Sequence, residues 1–213
     1  MERHRIAIVI PAFNEAATIE TVVRLAASHG RPIVVDDGSC DGCGELAAKA
    51  RAEVVRHEVN QGYDDSLNSG FARASLLGCE YVITMDADGQ HNPELLASFI
   101  GELDGGADVV VGVRDRRQRI GEVMFSWAGK LYWGISDPLC GMKAYRVSLY
   151  QELGHFDSRG SIGTELAIYA VRKGKRIAQV PVLTRERLDT PRFGTRISAN
   201  MRIFQALWRA LCC

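Results

Sequence analysis

Short apolar runs recur along the first half of the chain, each separated from the next by a helix-like stretch. The runs are Ile6–Ile10, Ile33–Val35, Val54–Arg56, Tyr81–Met85 and Val109–Val113. The helix-like stretches cover about Ala17–Ser28, Glu45–Arg51, Asp65–Leu77 and Pro93–Leu103. The runs are nearly continuous in apolar residues, so both of their faces need cover, which is the mark of strands in a parallel sheet. This predicts an α/β fold of Rossmann-like character, with a mostly parallel central sheet, helices on both faces and right-handed crossovers. Asn14 or Thr18 is placed to cap the first helix, and Pro93 suits the first turn of the fourth.

The alternation breaks after Arg114. The stretch "RDRRQRIGEVMFSWAGKLYWGISDPLCGMKAYR" reads as a functional loop and an amphipathic helix, then a short strand at Lys143–Arg146. Thr164–Arg172 reads as a helix, Arg176–Val182 as a strand and "RERLDTPRFGTR" as a polar loop. Ile197, Met201, Phe204, Trp208 and Leu211 then recur at helical spacing, giving a C-terminal amphipathic helix. The 213 residues suffice for a single domain, 1–213, with a first half at 1–114 and a second at 115–213. Lys plus Arg and Asp plus Glu both number 26, a balance that argues against nucleic-acid binding. The acidic residues gather before position 110 and the basic ones in the tail, so the front half suits a cation and the back half an anion. No run approaches the roughly 20 apolar residues of a membrane span, and "MERHRIAIVIPAF" reads as a first strand rather than a secretory signal. Cys40 and Cys43 form a C-x-x-C without a second pair or nearby histidines, which favours small residues in a turn over zinc. A reducing, cytoplasmic compartment is expected.

In open α/β sheets, ligands lie at the carboxyl ends of strands. Three polar motifs fall there. "VIPAFNEA" leaves Asn14 and Glu15 on the turn after the first strand. "IVVDDGSCDG" ends the second in Asp36 and Asp37, where a carboxylate suits a base imide, a ribose hydroxyl or a helix cap. "ITMDADGQH" ends the fourth in Asp86 and Asp88, with Gln90 beyond. Two close carboxylates need compensation, and Mg²⁺ or Mn²⁺ with oxygen ligands and open positions for phosphate would supply it. Asp-x-Asp-Gly is also a common solvated turn. No glycine-rich dinucleotide fingerprint follows the first strand.

Read in order, P-A-F-N-E, V-D-D-G-S-x-D-G and M-D-A-D-G-Q-H-x-P-E resemble a family 2 glycosyltransferase of GT-A fold, in the branch of dolichyl- and polyprenyl-phosphate sugar synthases. The likeness continues through "ADVVVGVR", "DPLCGMKAYR" and "TELAIYAVRKGKRIAQVPV". It implies a donor pocket lined by Pro11, Ala12, Asn14 and Glu15, with Asp37 at the base or ribose. It implies that Asp86, Asp88 and Gln90 hold the metal, with Ala87 between them, and through it the diphosphate. It sets Arg114 facing phosphate oxygens, and Arg185, Arg187 and Arg196 on a basic loop closing over them. Arginine suits that place because its fork binds two phosphate oxygens at once. Synthases of this branch carry small residues where "NQGYDDSLNSG" places Asp64 and Asp65, which leaves the sugar nucleotide open. Asp137 and Glu165 are the candidate catalytic bases for a hydroxyl acceptor; a lipid phosphate, already an anion, needs none.

The implied reaction is inverting sugar transfer from a nucleotide diphosphate sugar, a UDP- or GDP-sugar, to a polyprenyl-phosphate-type acceptor. Transfer to a glycan hydroxyl and an inactive nucleotide-binding module are the alternatives. The basic amphipathic tail helix and "MFSWAGKLYWG" suit either packing on the core or peripheral contact with the cytoplasmic face of a membrane.

Overall fold

The structure is a computed structural model that describes residues 2–89, 94–115, 119–183 and 196–211. The expected alternation is present. After a single 3₁₀ turn, the first half runs β1 (Ile6–Ala12), α1 (Ile19–Ala27), β2 (Arg31–Asp37), α2 (Cys43–Lys49), β3 (Glu53–His57), α3 (Tyr63–Leu76), β4 (Tyr81–Thr84), α4 (Glu94–Asp104) and β5 (Val109–Arg114). The second half runs α5 (Ile120–Trp133), β6 (Lys143–Arg146), α6 (Val147–Leu153), α7 (Glu165–Arg172), β7 (Ile177–Val182) and α8 (Arg196–Leu211). The seven strands form one sheet in the order β3-β2-β1-β4-β6-β5-β7. Every pairing is parallel except those of β6, which runs antiparallel to both β4 and β5.

Side chains alternate across a strand, and here both sets are apolar. Ile6, Ile8 and Ile10 point to one face and pack with Val22 and Val23 of α1, Ala47 of α2, and Leu96 and Phe99 of α4. Ala7 and Val9 point to the other, with Leu67 and Phe71 of α3, Phe125 of α5, Leu166 of α7 and Ala206 of α8. That second face holds an aromatic nucleus, in which the Phe71 ring lies 4.7 Å from Phe156 and 5.7 Å from Tyr145. Gly70 lets α3 settle on β1, since a side-chain carbon there would collide with Val9.

Two local expectations are corrected. Thr18 occupies the N-cap position of α1 but does not cap it; its hydroxyl donates to the Ala87 carbonyl at 2.7 Å. Asn14 does not cap it either, being drawn to the turn after β2. The short helix α6 follows β6 with no break and was not expected from the sequence. Pro93 lies outside the described residues.

Candidate functional site at the carboxyl edge of the sheet

The strand order places β2, β1 and β4 side by side, so their three polar carboxyl ends share one edge. Antiparallel β6 adds a fourth contribution. Because Lys143 pairs with Thr84, the turn at 137–142 leading into β6 arrives at the same edge as the end of β4. Parallel β5 brings Arg114 there too.

The first two turns are tied together. The Asn14 backbone N–H donates to Ser39 Oγ at 2.9 Å, and Asn14 Oδ1 accepts the Cys40 N–H at 3.0 Å. Asn14 has φ 54°, a left-handed conformation that asparagine tolerates better than most residues. Asp41 bridges the same turns, accepting the Ala16 N–H at 2.8 Å and the Cys43 N–H at 3.0 Å. Pro11 and Glu15 are partly exposed beside them, and Ala12 is buried. Cys40 is exposed and Cys43 buried, with burial raising the Cys43 thiol to about 11. Cys40 lies in the turn before α2 and Cys43 is the first residue of that helix.

Asp37 is buried and occupied. It accepts the backbone N–H groups of Gln61 and Gly62, both at 2.8 Å, and pairs with His57 Nδ1 at 2.7 Å. His57 Nε2 lies 2.9 Å from Ser69 Oγ. Asp37 therefore fixes the turn that starts α3. Its carboxylate is directed there, not at a free pocket.

Asp86 and Asp88 are partly exposed at the end of β4, on either side of buried Ala87. The Thr18 bond to Ala87 fixes their turn. Gly141 makes room for Asp86, since a Cβ there would lie 2.5 Å from Oδ2 and 2.8 Å from Oδ1. Two partly exposed carboxylates at one turn match a hard cation that leaves positions for phosphate oxygens. Gln90, Arg185 and Arg187 lie outside the described residues, as does the side chain of Arg196.

The candidate bases are both engaged. Asp137 is fully buried and forms a two-pronged pair with Arg114: Nε to Oδ2 at 2.8 Å and Nη2 to Oδ1 at 2.9 Å. The Arg114 backbone N–H adds a third bond at 3.1 Å. Burial alone would lower the Arg114 pKa, but the bonds and charge of Asp137 raise it above the ordinary value. Glu165 accepts the Ser158 N–H at 2.7 Å and pairs with His155 at 3.1 Å and Arg159 at 3.4 Å. Both carboxylates are held by neighbouring side chains in this structure.

The sequence reading gave no role to Tyr63, Lys143 or Asp157, which the structure brings to this edge. Lys143 is buried, and desolvation lowers its pKa against the nearby charges of Asp137, Asp64 and Asp157. Its Nζ donates to the Gly163 carbonyl at 2.7 Å. Asp157 accepts the N–H groups of Arg159, Ser161 and Gly163 at about 3.0 Å. A signal for it exists in "DSRGSIG", an aspartate followed by turn formers.

Fold and edge together define a class, an α/β protein whose ligand cleft lies at the carboxyl ends of parallel strands. Residues 7–154 match the model of glycosyl transferase family 2. The chain belongs to that family, has a GT-A fold and is a glycosyltransferase. It is 32% identical over 208 residues to undecaprenyl-phosphate mannosyltransferase of Micrococcus luteus, covering 86% of this chain and 84% of that one. It is 29% identical over 208 residues to polyprenol monophosphomannose synthase of Mycolicibacterium smegmatis, covering 86% and 78%. Among solved structures, glucosyl-3-phosphoglycerate synthase from Mycobacterium tuberculosis, in complex with Mn²⁺, UDP and glucosyl-3-phosphoglycerate, superposes with a TM-score of 0.74 at 22% identity, covering 98% of this chain and 80% of that one.

Proposed function

We propose that the chain is an inverting, metal-dependent transferase that moves a sugar from a nucleotide diphosphate sugar to a polyprenyl-phosphate-type acceptor. The observation that carries this reading is the state of the two candidate bases. Asp137 is locked to Arg114, and Glu165 to His155, Arg159 and Ser158. A hydroxyl acceptor needs a base to take its proton. A phosphate monoester is already anionic and attacks without one. The two relatives named for undecaprenyl phosphate and polyprenol agree with that acceptor.

Asp86 and Asp88, with Gln90 as the proposed third ligand, would hold Mg²⁺ or Mn²⁺, which when bound supplies neutralising charge to the diphosphate. The mycobacterial structure with Mn²⁺ and UDP supports that pairing of ligands. Pro11, Ala12, Asn14 and Glu15 shape the nucleotide side. Asp37 serves the same side indirectly, by holding the Gln61–Gly62 turn. Arg185, Arg187 and Arg196 are assigned to phosphate binding on the strength of their place in the basic loop of the sequence. In the transfer, the acceptor oxygen bonds to the anomeric carbon as its bond to the diphosphate breaks, and the nucleoside diphosphate leaves with the electron pair. The first half thus serves the donor and the second the acceptor.

A lipid acceptor calls for a membrane surface. No helix among the described residues is long and apolar enough to cross one. However, α5 and α8 pack side by side, Gly121 against Asn200 and Ile203. Their outer faces expose Trp127 at 71%, Trp208 at 70%, Ile120, Leu131 and Met201, with Lys130 and Arg202 among them. Such a face suits peripheral contact with an anionic bilayer. The free thiols Cys40, Cys43, Cys79 and Cys140 agree with the cytoplasmic side.

The test is a turnover assay with Mn²⁺, a panel of UDP- and GDP-sugars, and a short polyprenyl phosphate or the matching polyprenol. Product from the phosphate alone is expected. Product from the polyprenol, or from a glycan hydroxyl, would contradict the reading.

A further inference from the structure

Two threonines grip the turn that carries Asp86 and Asp88, one from each flank. Up to Met85 the chain is still in register with the sheet, the Met85 N–H donating to the Val9 carbonyl at 3.0 Å. Beyond it, Thr18, just before α1, donates its hydroxyl to the Ala87 carbonyl at 2.7 Å. The same oxygen lies 3.3 Å from the Glu15 carbonyl and 3.4 Å from Glu15 Oε2. A hydroxyl has one proton, and the shortest contact takes it. The Thr18 methyl reaches the same turn, since a Cβ at Gly89 would lie 3.9 Å from its Cγ2.

On the other flank, Thr84 is buried in β4, two residues before Asp86. Its hydroxyl donates to the Gly141 carbonyl at 2.6 Å and accepts the Lys143 N–H at 3.1 Å. It thereby holds Gly141 against Asp86, where a Cβ would lie 2.5 Å from Oδ2. Neither hydroxyl is needed for secondary structure. Thr18 does not cap α1, and the ladder of a strand is built from backbone groups alone. Valine has nearly the same shape as threonine but no hydroxyl, so it would release either grip and leave a carbonyl without its donor.

Hard cations differ in what they ask of such a turn. Mg²⁺ demands near-ideal octahedral geometry with oxygens at about 2.0–2.1 Å, whereas Ca²⁺ takes more ligands, at about 2.3–2.6 Å, in flexible arrangements. Selectivity between them follows the size and rigidity of the site. A turn held on both flanks keeps a small, fixed spacing, and a loosened one accommodates the larger ion.

We propose that Thr18 and Thr84 are positioning residues that hold the Asp86–Asp88 turn at the spacing of a small divalent cation, and so make the site choose Mg²⁺ or Mn²⁺ over Ca²⁺. This rests on the metal site proposed above and deepens it by naming what sets its selectivity.

The test is titration calorimetry of UDP and GDP, each with Mg²⁺, Mn²⁺, Ca²⁺ or no metal, on the wild type, Thr18→Val, Thr18→Ser, Thr84→Val and Thr84→Ser. The wild type is expected to bind its nucleotide at least about ten-fold more tightly with Mg²⁺ or Mn²⁺ than with Ca²⁺. Each valine variant should lose about ten-fold with Mg²⁺ and Mn²⁺ but stay within about two-fold with Ca²⁺ and without metal, so that the preference disappears. Each serine variant keeps the hydroxyl and should keep the preference. An unchanged preference in both valine variants, or an equal loss in serine and valine variants, overturns the inference. A wild type that takes Ca²⁺ as well as Mg²⁺ overturns it too, and leaves the metal site standing. If no metal tightens nucleotide binding to the wild type, the metal site itself fails and the inference falls with it. Thermal melting without ligand shows that each variant is folded; should Thr84→Val not fold, the Thr18 pair, which lies partly exposed, decides.

Discussion

At the scale of single residues, the site is a set of carboxylates whose roles are set by what surrounds them. Asp137 and Asp86 lie near one edge of one sheet, yet Asp137 is saturated by Arg114 while Asp86 is left half-open in the space Gly141 provides. Asp137→Asn would leave the Arg114 charge poorly compensated, and urea unfolding should show a loss of about 3 kcal/mol. Gly141→Ala should unfold normally but lose metal-dependent nucleotide binding, because its Cβ would meet the Asp86 carboxylate. Asp64 gives a pH signature. Its value when folded, about 7, lies above its ordinary 3.8, so the folded chain holds more protons than the unfolded chain between them. That contribution to stability is complete below about pH 4 and declines as pH rises to about 7. Asp64→Asn, which stays neutral, should therefore gain in melting temperature relative to the wild type across that window and level off above it. A constant difference from pH 4 to pH 8 would contradict this. The strand-end aspartates were legible because polarity changes abruptly where an apolar run stops. The occupation of Asp137 was not, because Arg114 lies 23 residues away and only the fold brings it near.

At the scale of elements, the helices divide between covering the sheet and facing outward. In α1 Ile19, Val22, Val23 and Ala26 are buried in the core and only Leu25 is an exposed large apolar residue, whereas α5 and α8 keep one apolar side on the core and expose another. Helical spacing alone made packing and membrane contact equally legible for the tail; the exposure of Trp127 and Trp208 favours contact. Trp127→Ala with Trp208→Ala should cut binding to anionic vesicles by roughly ten-fold in co-sedimentation and leave the melting temperature nearly unchanged, since neither ring is in the core. Undiminished vesicle binding would contradict the assignment of this face. The turn chemistry around α1 was misread for a physical reason. Asn14 and Thr18 both have side chains suited to capping, but each finds a partner on another strand's turn.

At the scale of the whole molecule, most of the sheet was readable in advance because β1, β2, β4 and β5 bury both faces along most of their length and say so in composition. The exception is the placement of β6. Its four residues carry no sign of running antiparallel between β4 and β5, yet that placement brings the 137–142 turn and Lys143 to the ligand edge. The strand-end motifs of the first half were therefore legible, while the cavity between α3 and the loop at 157–160 was not, being assembled from segments almost a hundred residues apart. The central claim is that this edge binds a metal and a nucleotide diphosphate sugar together. The most direct measurement is thermal unfolding of the wild type and Asp88→Asn with UDP-, GDP- and CMP-sugars, each with and without Mn²⁺. A ligand at a hundred times its dissociation constant should add about 2.7 kcal/mol of stability. The account predicts stabilisation by one donor that requires Mn²⁺ and vanishes in Asp88→Asn. Stabilisation that is equal without Mn²⁺, or retained in Asp88→Asn, would contradict it.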